Sequence, residues 1–328
     1  MEIKRVDSNE LLSLYEYYSH IYTRNITECK RLIDFWISKN KNEYSNFHII
    51  VDENKKIHGQ ILASSMSYFY NKKKTDSVWL FDLIIDEDLR KEAWGIDLLL
   101  SCMETHPKSC STGSGPTALP IHLKLGNSFL GEIRKYVGIV FPHYFVTSFK
   151  RPTIPITVFP EKVIGDNYIF KLINSEELPD FSMPFNENLF EITREKDFLK
   201  WRFFNSFHKY ALYYNKEQQM YFVLRSIIIK GFRIMELVDY RCNISDSNIE
   251  IIYEAVKKVT KKLRLPVIVW GSTLAVVDKA LERHHFKSIG RPRPVLGFLK
   301  CKDRLKDIEN RNFALITLAD SDGETNWF

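Results

Sequence analysis

Trp79–Met103 reads WLFDLIIDEDLRKEAWGIDLLLSCM. With Ser77 and Val78 before it, the run SVWLFDLII over 77–85 is almost continuously apolar, the pattern of a central strand covered on both faces. A turn follows. Then Arg90-Lys91-Glu92-Ala93-Trp94-Gly95 opens a helix whose apolar positions, Leu89, Ala93, Ile96, Leu100 and Met103, recur at spacings of three and four until Pro107 stops it. The first N–H groups of a helix have no intrahelical partners, and the helix dipole is positive at that end. Small residues such as Ala93 and Gly95 let a phosphate approach the backbone, and Arg90 and Lys91 add charge. The spacing fits a pyrophosphate cradle, and it equally fits an ordinary helix start carrying a solvated basic residue.

Outward from this stretch, strand and helix signals alternate. Glu2–Val6 is a short strand candidate ending at the helix-capping residues Asp7, Ser8 and Asn9. Leu11–Ser19 and Glu28–Ile37 read as amphipathic helices, and Asn46–Val51 with Ile57–Tyr70 as a hairpin. Ser109–Thr112 leads through Gly113-Ser114-Gly115-Pro116 into a helix ending at Gly126. Prolines gather between Phe141 and Pro184, which is where the halves connect. Beyond it the order repeats. Tyr210–Asn215 and Met220–Ile229 form a hairpin and Phe232–Tyr240 a strand. Ile249, Ile252, Val256, Val259 and Leu263 make a helical stripe. Val267–Trp270 is a short strand, Leu274–Leu281 a helix and Val295–Lys300 a last strand. The reading is mixed α/β, two diverged copies of one architecture over residues 1–150 and 151–328.

Composition agrees with this size. At about 150 residues per domain, 328 residues suggest two domains, and 45% hydrophobic with 27% charged residues excludes a wholly disordered chain. The net charge, 47 − 41 = +6, is spread along the chain rather than concentrated as in a nucleic-acid binder, and suits an anionic small ligand. The five cysteines (Cys29, Cys102, Cys110, Cys242, Cys301) show neither a CxxC spacing nor a disulfide framework, which favours a reducing compartment. The first residues lack a signal-peptide core, and no run approaches the roughly 18 apolar residues of a membrane span. A cytoplasmic protein with neither nucleic-acid nor membrane partner is expected; oligomeric state is open.

Arg90-x-x-Ala93-x-Gly95 after an apolar strand resembles the acyl-CoA signature of the GNAT acetyltransferases, R/Q-x-x-G-x-G/A, with Ala93 where the family usually has Gly. Ile121-His122-Leu123-Lys124-Leu125-Gly126 resembles that family's "LY-x-KLG" helix ending. In the second half, Phe198–Arg202, Glu236–Asp239 and Leu315–Asp322 resemble tandem GNAT-like proteins of surface-polysaccharide pathways. The resemblance implies two GNAT-like domains, each a mixed, mostly antiparallel sheet flanked by helices. It implies acetyl-CoA, or another acyl-CoA, whose pantetheine pairs with the edge of a splayed central strand at Leu83, Ile84 and Ile85, and whose pyrophosphate rests on the segment from Arg90, Lys91 and Glu92 through Ala93, Trp94 and Gly95 to Ile96. An acceptor amine, of an amino sugar or a cell-surface precursor, then attacks the thioester directly. Two other readings are a non-catalytic acyl-CoA-binding pair and a Fem-type aminoacyl transferase, which takes its acyl group from tRNA.

Such chemistry needs a base for the amine, an oxyanion donor and an acid for the thiolate. His122 falls where many GNAT enzymes carry the tyrosine that serves the thiolate, and imidazole can do that work near neutral pH; a histidine without duty on a polar helix face is the alternative. Asp82 interrupts an apolar strand, either as a base or as a charge met by a neighbouring Arg or Lys. Ser114, in the Gly-Ser-Gly loop, could donate to acceptor or cofactor, or simply cap a helix. The second half has no glycine between Val238 and Ile249 and an acidic Asp246 at its helix start, so only the first half is expected to bind CoA. No metal site is expected: adjacent His284 and His285 diverge on a helix, and Cys102 and Cys110 read as buried small apolar groups. Trp201 reads as core beside a surface Arg202, and the lysines at 72–74 and 257–262 as solvated charge.

Overall fold

The computed structural model describes residues 1–39, 43–147, 154–298 and 313–320. In the first half the order is β1 (Glu2–Arg5), α1 (Leu11–Tyr22), α2 (Ile26–Ile37), β2 (His48–Val51), β3 (Ile57–Tyr70), β4 (Lys73–Ile85), α3 (Trp94–Thr105), β5 (Ser109–Thr112), α4 (Ala118–Lys124) and β6 (Ser128–Ile139). Next come α5 (His143–Thr147), β7 (Lys162–Ile164), β8 (Ile169–Leu172), β9 (Phe190–Ile192) and α6 (Lys196–Leu199). The second half runs β10 (Ala211–Asn215), β11 (Met220–Ile229), β12 (Phe232–Arg241), α7 (Asp246–Lys262), β13 (Val267–Ser272), α8 (Ala275–Arg283), β14 (Lys287–Phe298) and β15 (Ala314–Leu315). This is a mixed α/β fold, and the β4-to-β6 order recurs from β12 to β14.

The strands form one sheet in the order β1-β2-β3-β4-β5-β14-β6-β13-β12-β11-β10-β8-β7, with β9 and β15 attached beside β3. Among the described residues only β4/β5, β12/β13 and β9/β15 pair in parallel. At the centre the halves trade their last strands. β14 lies antiparallel against β5 (Val295↔Thr112 to Phe298↔Ser109), and β6 lies against β13 (Val267↔Ile139 to Ser272↔Arg134). β6 and β14 pair with each other across the middle. The element order thus recurs in the two halves, and each half's sheet is completed by a strand from the other; the expected boundary at 150/151 lies outside the described residues.

Alternation explains why Ser77–Ile85 is apolar on both sides. Trp79 and Phe81 join the cluster under α1 and α2, with Leu14, Ile33, Phe47 and Leu62. Val78 and Leu80 face the opposite cluster with Ile61, Ala63, Leu98 and Leu99 of α3. The buried face of α3 is Leu98, Leu99, Cys102 and Met103, while Ile96 is exposed; the apolar stripe expected through Leu89, Ala93 and Ile96 is displaced because residues 87–91 form a separate 3-10 turn. β14 begins at Lys287, well before the strand expected at Val295, and residues 299–300 lie outside the described set. Arg202, expected at the surface, is fully buried: its Nε donates to the Ala319 carbonyl at 3.1 Å. His284, discounted as a ligand, contacts Glu250 through Nε2 at 2.6 Å and stacks on Tyr253.

Candidate functional site

β4 and β5 stay paired only as far as Leu80↔Ser111. On its other edge β4 keeps its ladder with β3, but between Leu62↔Phe81 and Gln60↔Ile84 it carries one residue more than its partner. Asp82 sits in this bulge with φ +50°. A bulge bends its strand and sharpens the local twist, so Asp82, Leu83 and Ile84 swing away from β5, which ends at Thr112 and turns at Gly113 (φ +81°). The two parallel strands open into a V. Past Leu80, the edge of β4 that faced β5 has no strand beside it among the described residues.

The V holds a cavity of about 400 Å³ whose lining includes Asp82, Leu83, Ile84, Ser114 and His122. Asp82 is the one carboxylate among the described lining residues. Its oxygens accept hydrogen bonds from the Tyr18 hydroxyl and, at 2.8 Å, from the Tyr22 hydroxyl. These tyrosines stand four apart on one face of α1, so two phenols meet the carboxylate. His122 enters from α4 and is only 4% exposed; burial pushes its imidazole below the usual histidine range, and its Nδ1 has no hydrogen-bond partner. It is a buried, neutral group facing the cavity rather than a residue on a polar helix face. The Asn127 amide and side chain both donate to the His122 carbonyl, at 3.0 and 3.1 Å, and fix that end of α4.

The second half supplies one wall. Arg293 reaches the cavity from β14 beside Gly113, whose N–H donates to the Pro294 carbonyl at 2.9 Å. Nothing in the sequence marks Arg293, Tyr18 or Tyr22 as site residues, because the exchanged strand and the register of α1 bring them there. Other expected residues lie apart. Ile85, Arg90, Lys91, Glu92, Ala93, Trp94, Gly95 and Ile96 are not among the lining residues. Ala93 is the N-cap of α3 and makes no side-chain cap bond, and a Cβ on Gly95 would meet only Ile85 Cγ1 at 3.4 Å, so the helix start is open. Its charge is less basic than Arg90 and Lys91 alone suggest. Glu87, Asp88, Glu92 and Asp97 surround it, Arg90 Nε donates back to the Ile85 carbonyl at 3.0 Å, and the Trp94 indole donates to Glu92.

The equivalent V of the second half is filled. β12 and β13 pair in parallel up to Leu237↔Trp270, and β12 bulges between Leu237 and Asp239. Thus Asp82 and Asp239 both stand two residues beyond the last parallel pair. In this second copy the segment 314–320 occupies the opening. Ser272 bridges to Thr317, Thr273 bonds to Ala314 and Ile316, and Leu318 packs so closely on Gly271 that a Cβ there would meet its Cδ2 at 2.6 Å. Asp239 accepts from Arg194 (2.8 Å), Arg241 (2.8 Å), Tyr221 (2.8 Å) and Thr317 (2.7 Å), and Arg194 also reaches Asp320 at 2.6 Å. These charges are buried and mutually neutralised. The resemblance noted at Leu315–Asp322 thus falls on a plug, and its Ser321 and Asp322 lie outside the described residues.

No protein-family model and no curated protein matches the chain. Solved structures do. A GCN5-related N-acetyltransferase from Anabaena variabilis superposes with a TM-score of 0.59 at 11% identity, covering 90% of this chain and 72% of that one. The Saccharomyces cerevisiae N-myristoyltransferase with bound myristoyl-CoA gives 0.56 at 11% identity, covering 90% and 82%. A probable N-acyltransferase from Enterococcus faecalis gives 0.56 at 10% identity, covering 90% and 71%. At such identities the likeness is one of fold: a large, mostly antiparallel sheet flanked by helices, as in these acetyl- and acyltransferases.

Proposed function

We propose that the chain is an acyl-CoA-dependent acyltransferase that moves an acetyl group to an amine, with the amino group of a sugar or of a cell-surface precursor as acceptor. One observation carries this reading: among the described residues the first-half V is an open cavity beside an unpaired strand edge, whereas its second-half counterpart is filled. The bound acyl-CoA supplies the thioester carbon that the acceptor attacks. Leu83 and Ile84 offer backbone N–H and C=O groups to a pantetheine amide, and the open start of α3 from Ala93 to Ile96 receives the pyrophosphate. Asp82, held by two tyrosine hydroxyls, takes the proton released by the attacking amine. His122 presents an N–H to the departing sulfur. Ser114 and Arg293 orient the acceptor, which makes residues 151–328 scaffold and wall for a cofactor seated on residues 1–150. No helix of the described residues is long and apolar enough to cross a membrane.

Ligands that bind only the folded state raise the melting temperature. Acetyl-CoA and longer acyl-CoAs are expected to do so, and thiol release from acetyl-CoA with a panel of amino sugars then reads turnover. No thermal shift with any acyl-CoA overturns the proposal; a shift without turnover on any amine supports the non-catalytic pair instead.

A further inference from the structure

A second constellation lies at the far end of α3 and plays no part in the acyl-transfer reading. His48 opens β2, Cys102 sits in the last turn of α3, and His106 caps that helix. One ligand atom from each falls within 4.8 Å of the other two. Cys102 and His106 are four apart, so the helix places them on one face, and β2 brings His48 against it from the sheet. His48 and Cys102 are at most 1% exposed.

The orientation of the rings is the telling feature. Nδ1 of His48 lies 3.1 Å from the Ser101 hydroxyl, and its Nε2 is buried with no hydrogen-bond partner. His106 is likewise tied through a hydrogen bond to the Asn46 backbone, and its Nε2 is also buried without a partner. Each ring therefore has one nitrogen fixed by an outer contact and the other left over, which is how metal-binding histidines are held. Two buried ring nitrogens without partners, on residues clustered with a thiol, would otherwise be a plain cost to the fold. The rings stand edge to face, 74° apart with centroids at 6.2 Å, so they do not stack on each other.

We propose that His48, Cys102 and His106 form a zinc site, with Nε2 of each histidine and Sγ of the cysteine as ligands. Imidazole nitrogen and cysteine thiolate are both zinc ligands. Tetrahedral zinc with bonds of about 2.0–2.3 Å sets its ligand atoms about 3.5 Å apart, so the trio, now within 4.8 Å, contracts by up to about 1.3 Å on binding. A water would complete the fourth position. Binding replaces the thiol proton by the metal and releases it to solvent. Burial pushes the Cys102 thiol up, to about 12, and Arg5, opposite His48 on β1 and anchored to the Ser45 carbonyl at 2.6 Å, offsets this only in part, so the metal itself would have to displace the thiol proton. The metal would tie the C-terminal end of α3 to β2.

The test uses the full chain, freed of metal by chelation and titrated with Co²⁺ and then Zn²⁺. Expected are a thiolate-to-cobalt charge-transfer band and tetrahedral d–d absorption at one equivalent per chain, both lost in Cys102→Ser and in His106→Ala, and a higher melting temperature with Zn²⁺. His106 is at the helix end and partly exposed, so its variant keeps the test decisive should Cys102→Ser fold poorly. Absence of the bands and of any thermal shift overturns the site, as do bands that survive in both variants. Uptake of Cu⁺ with no response to Zn²⁺ or Co²⁺ overturns the choice of zinc.

Discussion

Asp82 and Asp239 occupy equivalent places in the two halves and have opposite surroundings: two phenols and an open cavity against two buried guanidiniums and a plug. Asp82→Asn keeps a residue that tolerates positive φ but removes the basic oxygen. Thiol release should fall by roughly 10²-fold or more with the circular dichroism spectrum unchanged. His122→Phe should lower kcat by a similar order while the apparent affinity for acyl-CoA stays within about twofold; unchanged kcat would retire its role. Asp239 belongs to stability instead. Burial opposes its charge, yet Arg194 and Arg241 prevail and draw its pKa from the ordinary 3.8 down to about 2. A folded-state pKa below the unfolded one means stability that is present above pH 3.8 and lost as pH falls toward 2. Asp239→Asn should cost about 3–5 kcal/mol in urea titrations at pH 7 and should flatten the acid limb of the stability profile. The sequence showed Asp82 as an intrusion in an apolar strand and His122 by its place in a helix ending. It could not show Tyr18 and Tyr22, whose contact with Asp82 depends on how α1 lies across the sheet.

At the level of elements, the apolar run of β4 was legible because both of its faces are covered, and the break at Pro107 because proline cannot continue a helix. The bulge was not legible: the extra residue exists only relative to the register of β3. Nor was the plug. Leu315–Ala319 reads as a short apolar stretch like many others, and its place in the second V follows from long-range contacts to Asp239, Gly271 and Thr273. Leu318 is 1% exposed, so Leu318→Ala should destabilise by about 2–5 kcal/mol in chemical unfolding while leaving acyl-CoA affinity unaltered. A variant that instead gained a second acyl-CoA equivalent would show that the plug alone closes that V.

Over the whole molecule, repetition of the element order was visible from hydrophobic periodicity, and the same order recurs from β4–β6 to β12–β14. Their exchange of β6 and β14 was not, since neither strand's sequence names its neighbour. The consequence for unfolding is direct. With β14 in the first half's sheet and β6 in the second's, neither half retains its own sheet alone. Tryptophan fluorescence and far-ultraviolet circular dichroism should trace one coincident urea transition; two separated transitions would contradict the shared sheet. The same exchange governs the order in which the site comes into being on the ribosome. β5 emerges with one edge bare, and Arg293 arrives only after α7, β13 and α8 have been translated. A nascent chain released before Phe298 therefore has a V with one side missing, so the closed outline of that cavity is a late property of synthesis, acquired only once the second half has reached back into the first.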